Sequence, residues 1–381
     1  MGPGPSRIDP RVLAAMANPT IGHLDPQFII LMDEIKELLQ YVFQTENEAT
    51  FPVSGPGSLG MESCLVNLIE PGMRVVVCQN GFFGGRMREI AGRLGAEIIL
   101  IEESWGRAID PQKFRDTLKK HSDVRLVAFV HAETSTGALS DARTLVEVAH
   151  EFDCLTLVDA VTSLGGCELK TDEWGIDVCY SGSQKCLSGP PGLSPVTFNE
   201  RALQHIKNRN SPVQSWFMDV EEVLKYWSGG LKRAYHHTAP INNLYGLHEA
   251  LLLARKEGLE NAWKRHFQNH RALVAGLEAM GLKMAVPEKE RIPQLNAVEI
   301  PGGVDDQRVR MKLLNEYNIE IGAGLGQMAG QIWRIGQMGA SSQAEKIIRT
   351  LRALEQLLRE EGLQIPEGVS EKAADGVFAG A

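Results

Sequence analysis

The chain has 381 residues, 43% of them hydrophobic and 23% charged, with a formal net charge of −9. That is enough apolar material for one large core and a second, smaller one. Acids and bases are mixed along the chain, with no basic block, no zinc-finger spacing and no apolar run of membrane-spanning length, so neither nucleic acid nor a membrane is an expected partner. No signal peptide is expected, and the six cysteines contain no CxxC pair. They read as buried thiols of a cytoplasmic protein, and Ala379-Gly380-Ala381 is no peroxisomal address.

Residues 1–25 read as an N-terminal arm. The two X-Pro steps of Met1-Gly-Pro-Gly-Pro-Ser impose an extended backbone that must lie against something else to be ordered. Gly22-His23-Leu24-Asp25-Pro26 then opens an amphipathic helix expected over Pro26–Gln44. A strand, Thr50–Val53, runs into Ser54-Gly55-Pro56-Gly57-Ser58-Leu59-Gly60 and a helix over Met61–Ile69. This stretch contains a literal GxGxxG, which leaves an NAD-binding oxidoreductase as a remote alternative. The next strand, Arg74–Cys78, ends in Gln79-Asn80-Gly81 with no acid to hold a ribose hydroxyl, so the turn is read as a general phosphate cup.

Phe82-Phe83-Gly84-Gly85-Arg86 follows at a second strand-to-helix junction, where an aromatic could stack on a flat cofactor. Strand and helix patterns alternate onward: helix Arg86–Leu94, strand Glu97–Ile101, helix Pro111–Lys120, strand Val124–Val130 and helix Asp141–Phe152. Such alternation predicts right-handed βαβ units and a mostly parallel sheet. His131-Ala132-Glu133-Thr134-Ser135-Thr136-Gly137 stands at one carboxyl end of that sheet.

The chemistry concentrates in Leu155–Gly192. One apolar run ends at Asp159; the next, Ile176–Tyr180, passes through Ser181-Gly182-Ser183-Gln184 to Lys185, followed by Gly-Pro-Pro-Gly. Ligands of open α/β sheets sit beyond the carboxyl ends of such strands. A lysine amine can hold an aldehyde as a Schiff base, and a carboxylate can keep a pyridine nitrogen protonated, the pairing that pyridoxal phosphate requires.

After a strand at Ser194–Phe198 come Trp216, Tyr226, Trp227 and Tyr235-His236-His237-Thr238, then a helical region over Ile241–Gly281. The two adjacent histidines lack a third ligand, so no metal site is expected. Residues 26–255 read as a large domain and 256–365 as a small α+β domain with strands Ala297–Ile300 and Ile332–Ile335 and helices Asp306–Tyr317 and Ser342–Glu361. Arg334 lies in an apolar strand, a costly place unless a carboxylate meets it, whether a structural one or a substrate's. The tail, 366–381, rich in Gly and Ala, is expected to be disordered.

Taken together, GPGPS (Gly2–Ser6), HAETSTG (His131–Gly137), VDAVTSLGG (Val158–Gly166), YSGSQK (Tyr180–Lys185), PPG (Pro190–Gly192), YHHT (Tyr235–Thr238) and WRIG (Trp333–Gly336) resemble the class V branch of the fold type I pyridoxal-phosphate aminotransferases. The likeness is greatest to alanine–glyoxylate and serine–glyoxylate enzymes, and the spacing 185 − 159 = 26 fits as well. The resemblance implies a large domain with a mostly parallel, seven-stranded sheet between helices, and a smaller C-terminal domain.

It further implies that Lys185 holds the cofactor and moves protons, while Asp159 pairs with the ring nitrogen. Thr134 would reach the ring's phenolic oxygen and Phe83 would stack on its face, where family members often carry Trp or Tyr. Ser54, Gly55, Pro56, Gly57 and Gln184 would bind the phosphate, with Tyr235 and Thr238 supplied by the other subunit of a homodimer. Arg334 would clamp the substrate carboxylate, with Gly4 and Gly22 closing the pocket and His23 shaping its substrate side. The implied reaction moves the amino group of a small L-amino acid, alanine or serine, to glyoxylate or pyruvate. (S)-Ureidoglycine–glyoxylate transamination is the alternative. Cysteine desulfurase chemistry is set aside, because no cysteine follows Cys186.

Overall fold

The computed structural model describes residues 1–227 and 233–380. Seven strands form the central sheet: β1 (Ala49–Val53), β2 (Arg74–Gln79), β3 (Glu97–Glu102), β4 (Leu126–Val130), β7 (Leu155–Asp159), β8 (Val178–Tyr180) and β9 (Ser194–Phe198). Between β4 and β7 in the chain, Ala132–Glu133 (β5) and Ala138–Leu139 (β6) make a two-stranded ribbon. The order across the main sheet is β1-β9-β8-β7-β4-β2-β3. The neighbours from β8 to β3 pair in parallel, whereas β9 runs antiparallel to both β8 and β1.

The central strands β4 and β7, LVAFV and LTLVD, are buried at every position. Unbroken apolar runs are what a parallel sheet covered on both faces demands. Their register brings Val130, Asp159 and Tyr180 side by side at the carboxyl edge. Several helix starts follow side chains that satisfy free amides. Asp25 and Asp110 accept from Gln27 N–H and Gln112 N–H ahead of Pro26 and Pro111. The helical region beyond Pro240 divides at Gly258, whose φ of 82° ends Ile241–Glu257 before Leu259–Ala279 begins.

The C-terminal part is a three-stranded antiparallel sheet, with β12 (Ile332–Gly336) between β10 (Leu295–Glu299) and β11 (Gly322–Ala323). The helices Asp306–Tyr317 and Ala344–Glu360 pack over it, and a core including Trp333, Leu351 and Leu354 fills the space between. Among the described residues no helix is long and apolar enough to cross a membrane.

Several elements differ from expectation. The helices expected from Met61 and Arg86 begin four residues earlier, at Gly57 and Phe82, so the turn chemistry belongs to their first turns. Short helices at Thr171–Trp174, Glu200–Lys207 and Val220–Trp227 were not anticipated. The N-terminal arm is not extended throughout: Pro10–Met16 is helical and capped by Asp9.

The tail expected to be disordered is instead the helix Val369–Ala379, with only Ala381 outside the described residues. Its composition misleads because the small residues are a packing device. Ala374 is buried in the second core, with Trp333 and Leu351, and the bare Gly276 admits the helix start, since a Cβ there would lie 2.9 Å from Ser370 O. Glu355 accepts from Gly368 N–H at 2.6 Å and Ser370 N–H at 2.9 Å. Glu355→Ala removes the acceptor for both amides and should cost about 1–2 kcal/mol in urea unfolding. A loss below about 0.5 kcal/mol, the usual range of a neutral surface change, would show that the tail is not held this way.

Candidate active site

A cavity of about 180 Å³ opens at the carboxyl edge of the sheet. Asp159 and Lys185 both line it, together with Pro56, Gly57, Phe83, Thr134 and Gln184. Its wall also includes Ser58, Arg86, Val161 and Tyr180, to which the sequence reading gave no role.

Asp159 ends β7 and is 3% exposed. Tyr180 donates its hydroxyl to Asp159 Oδ2 at 2.5 Å, and Val161 N–H donates to Oδ1 at 2.8 Å. Burial still pushes the carboxyl up to about 7, against the pull of those two donors and with the buried Glu133 carboxyl adding to the rise. Lys185 stands on the loop after β8, and burial lowers its amine to about 8, with the nearby Arg334 charge acting in the same direction. Among the described residues the two groups form no direct ion pair; Lys185 lowers the Asp159 carboxyl and Asp159 raises the Lys185 amine, each as the smallest of the influences on the other, and burial outweighs both.

The lysine loop is clamped from both sides. Ser183 Oγ donates to Pro190 O at 2.5 Å, and Gly189 N–H donates to Ser183 O at 2.8 Å. The N-terminal arm lies across it: Ser6 N–H donates to Gln184 O at 2.8 Å and Ser6 Oγ to Lys185 O at 2.7 Å. Lys185 Nζ donates to Pro3 O at 2.5 Å. Gly4 is the residue this approach requires. Its φ is +106°, and a Cβ would fall 2.7 Å from Lys185 Nζ. Cys186 faces away, its thiol donating to Thr162 O at 3.4 Å and pushed up to about 12 by burial.

Opposite these groups, Phe83 occupies the first turn of the helix Phe82–Arg93. That turn is fixed by an acid the sequence reading passed over: Glu133 Oε2 accepts from Phe83 N–H at 3.1 Å and Gly84 N–H at 3.2 Å. Glu133 Oε1 accepts the Ser135 hydroxyl at 2.6 Å. Gly81 carries no Cβ because one would sit 2.4 Å from Glu133 Cγ. Thr134 hydrogen-bonds Thr162 through their hydroxyls. Gln184 Oε1 is buried with no hydrogen-bond partner among the described residues.

Arg334 is 8% exposed and forms no ion pair among the described residues, so no structural carboxylate meets it. Its Nε donates to Ala323 O at 2.8 Å and one terminal nitrogen to Thr134 O at 3.3 Å, beside the cavity. Burial lowers its pKa while the Glu133 charge opposes that fall. A guanidinium held by two carbonyls keeps donors free for an incoming carboxylate.

Other expected residues lie apart from the cavity. Gly22 is exposed, and a Cβ there would meet nothing within 4 Å, so it does not close the pocket of its own chain. Tyr235 is 58% exposed, its hydroxyl 3.2 Å from Thr238 Oγ1, and its ring lies 5.0 Å from that of His23. Ser54 bonds His237 Nε2 at 2.8 Å, and Gly55 N–H is taken by Val53 O. Of the missed residues, Tyr180 was findable: strand pairing sets it opposite Asp159. Glu133 and Arg86 act across the fold, and nothing local signals them.

The buried Asp159 makes a stability prediction for the protein stripped of any ligand. The folded carboxyl titrates near 7 and the unfolded one near 4, so the folded chain holds a proton that the unfolded chain has released. Stability should therefore fall as pH rises from about 4 to about 7, and Asp159→Asn should flatten that slope in urea midpoints taken across the window. An unchanged slope would place the titration elsewhere.

The family model for aminotransferase class-V matches residues 3–346. The chain is 39% identical to an alanine–glyoxylate aminotransferase of Drosophila melanogaster, over 97% of this chain and 95% of that one. A solved ureidoglycine–glyoxylate aminotransferase from Bacillus subtilis superposes with a TM-score of 0.96 at 41% identity, covering 100% of this chain and 97% of that one. A solved alanine–glyoxylate aminotransferase from Nostoc sp. gives 0.92 at 47% identity, with 94% of each chain covered. With its sheet, its paired amine and acid and this likeness running from end to end, the chain belongs to the class V aminotransferases.

Proposed function

We propose that this chain is a pyridoxal-5′-phosphate-dependent transaminase that moves the amino group of a small L-amino acid, alanine or serine, to glyoxylate or pyruvate. The observation that carries the reading is the convergence of Asp159 and Lys185 on one cavity, each held away from its ordinary pKa. The residues fit the cofactor. A carboxyl buried without an ion-paired cation would gain the N–H of a pyridinium ring, and the partnerless Gln184 Oε1 and the Gly57 and Ser58 amides that open the helix from Gly57 suit polar substituents.

When bound, the cofactor supplies an aldehyde for an amine and a ring that accepts an electron pair from the substrate's α-carbon. Lys185, lowered to about 8, would hold that aldehyde and then, as a free amine, take and return the α-proton. Asp159 would keep the ring nitrogen protonated, with Tyr180 and Val161 N–H orienting it. Phe83 would cover one ring face, and Thr134 would donate to the ring oxygen. Arg334 would hold the carboxylate common to the amino acid and the oxo acid, which lets one site serve both halves of the reaction.

We also place the active site between two subunits. Tyr235, Thr238, Gly22 and His23 lie outside their own cavity, beside the exposed Leu24 and with the exposed Trp216 stacked on the neighbouring His236, and would complete the site of a second copy. A second substrate reading has specific support: the (S)-ureidoglycine–glyoxylate transaminase of Bacillus subtilis is 39% identical across 100% of this chain, no further away than the Drosophila enzyme.

A panel of amino donors against glyoxylate decides between the two. Turnover with alanine or serine, and little with ureidoglycine, is expected; the reverse preference would transfer the assignment. Arg334→Ala should raise the KM of every carboxylate substrate by about ten-fold or more, the scale of a lost charge-assisted pair. An unchanged KM would mean that another group holds the carboxylate. Lys185→Ala should retain cofactor affinity through the phosphate contacts yet lose turnover, and undiminished turnover would remove Lys185 from the mechanism.

A further inference from the structure

The Ser54–Gly57 turn at the phosphate end of the cavity is poor in free donors. Pro56 has no N–H, Gly55 N–H is bound to Val53 O at 2.9 Å, and the Ser54 hydroxyl is engaged by His237 Nε2 at 2.8 Å. What remains on this turn is the Gly57 and Ser58 amides, since Leu59 N–H is bound to Pro56 O at 2.7 Å, and the hydroxyl of Ser58; Gln184 and, from a second copy, Tyr235 and Thr238 would add only neutral groups. Neutral donors offset only part of the cost of taking a phosphate dianion out of water.

A cation stands beside them. Arg86 lines the same cavity, and its terminal nitrogen donates to Ser58 Oγ at 2.7 Å. Its Cζ lies 5.2 Å from the ring centroids of both Phe82 and Phe83, so the side chain is steered over those rings. Arg86 follows Phe83 by one helical turn, which puts the two on one face of the helix Phe82–Arg93. Among the described residues it forms no ion pair with a carboxylate, and with Lys185 it is one of two cations on the cavity wall.

We propose that Arg86 is the charge partner of the cofactor phosphate. With Ser58 it forms a two-residue clamp that supplies the positive charge missing from the Ser54–Gly57 turn. The assignment rests on the pyridoxal-phosphate reading above. The clamp also ties the phosphate to the stacking ring, because the helix that presents Phe83 carries the guanidinium.

The test compares pyridoxal phosphate with pyridoxal, which lacks the phosphate, in absorbance titrations of the cofactor-stripped wild type and of Arg86→Gln, Arg86→Met and Arg86→Lys. The wild type should prefer pyridoxal phosphate strongly. Gln and Met should each lose about ten-fold or more of that preference while binding pyridoxal within about three-fold of wild type. Lys, which keeps the charge but not the fork, should retain more of the preference than either. The assignment is overturned if Gln or Met keeps the wild-type preference. It is equally overturned if both ligands weaken in step, which would mean that Arg86 acts through Phe83. If the wild type binds no pyridoxal phosphate, the cofactor reading falls first; a wild type that binds it beside an unaffected Gln variant removes Arg86 alone.

Discussion

A carboxyl group buried at the end of a central strand is the constraint on which the rest of the site depends. Asp159 lies where β4, β7 and β8 finish together, and the depth that makes a parallel sheet stable also strips its carboxyl of water. Two donors, Tyr180 and Val161 N–H, offset part of that cost, and its titration near 7 records what they leave. A buried acid in this state favours any ligand that brings its own N–H. Lys185, pushed the other way by the same dehydration, is a base at a pH where an exposed lysine is a cation. One physical cause thus prepares both chemical partners.

The surrounding structure keeps that dehydrated space shaped. The N-terminal arm crosses the lysine loop through Ser6 and brings the Pro3 carbonyl to the amine, a path open only because Gly4 has no side chain. From the three-stranded sheet, β12 delivers Arg334 between two backbone carbonyls. Glu133 stands among these parts. It fixes the helix turn that presents Phe83 and opposes the burial cost of Arg334. The N-terminal segment, the central sheet and the three-stranded sheet therefore come together around one cavity.

Much of this was legible in residue order. Asp159 and Lys185 declared themselves because each closes an apolar run and is framed by residues chosen for backbone reach, and the sheet's alternation could be read directly. Arg334 was conspicuous as a charge in an apolar strand. The misreadings share a cause: they involve partners distant in sequence. The tail looked disordered because Gly and Ala are weak local signals, yet those small side chains are what allow Val369–Ala379 to close onto Gly276. Gly22, Tyr235 and Thr238 were expected near the cofactor but lie outside their own chain's cavity, as residues serving a second copy would. Glu133 and Arg86 gain their roles only when the helix Phe82–Arg93 docks against the strand ends.

In the proposed reaction the amine and the acid on this cavity serve a single pyridoxal ring, with Lys185 as the attachment point. Borohydride reduction of the protein loaded with pyridoxal phosphate, followed by peptide mapping, tests it most directly. One modified peptide is expected, with the phosphopyridoxyl group on Lys185 and none formed in Lys185→Ala. A label on a different lysine, or the same label in the Lys185→Ala protein, would contradict it.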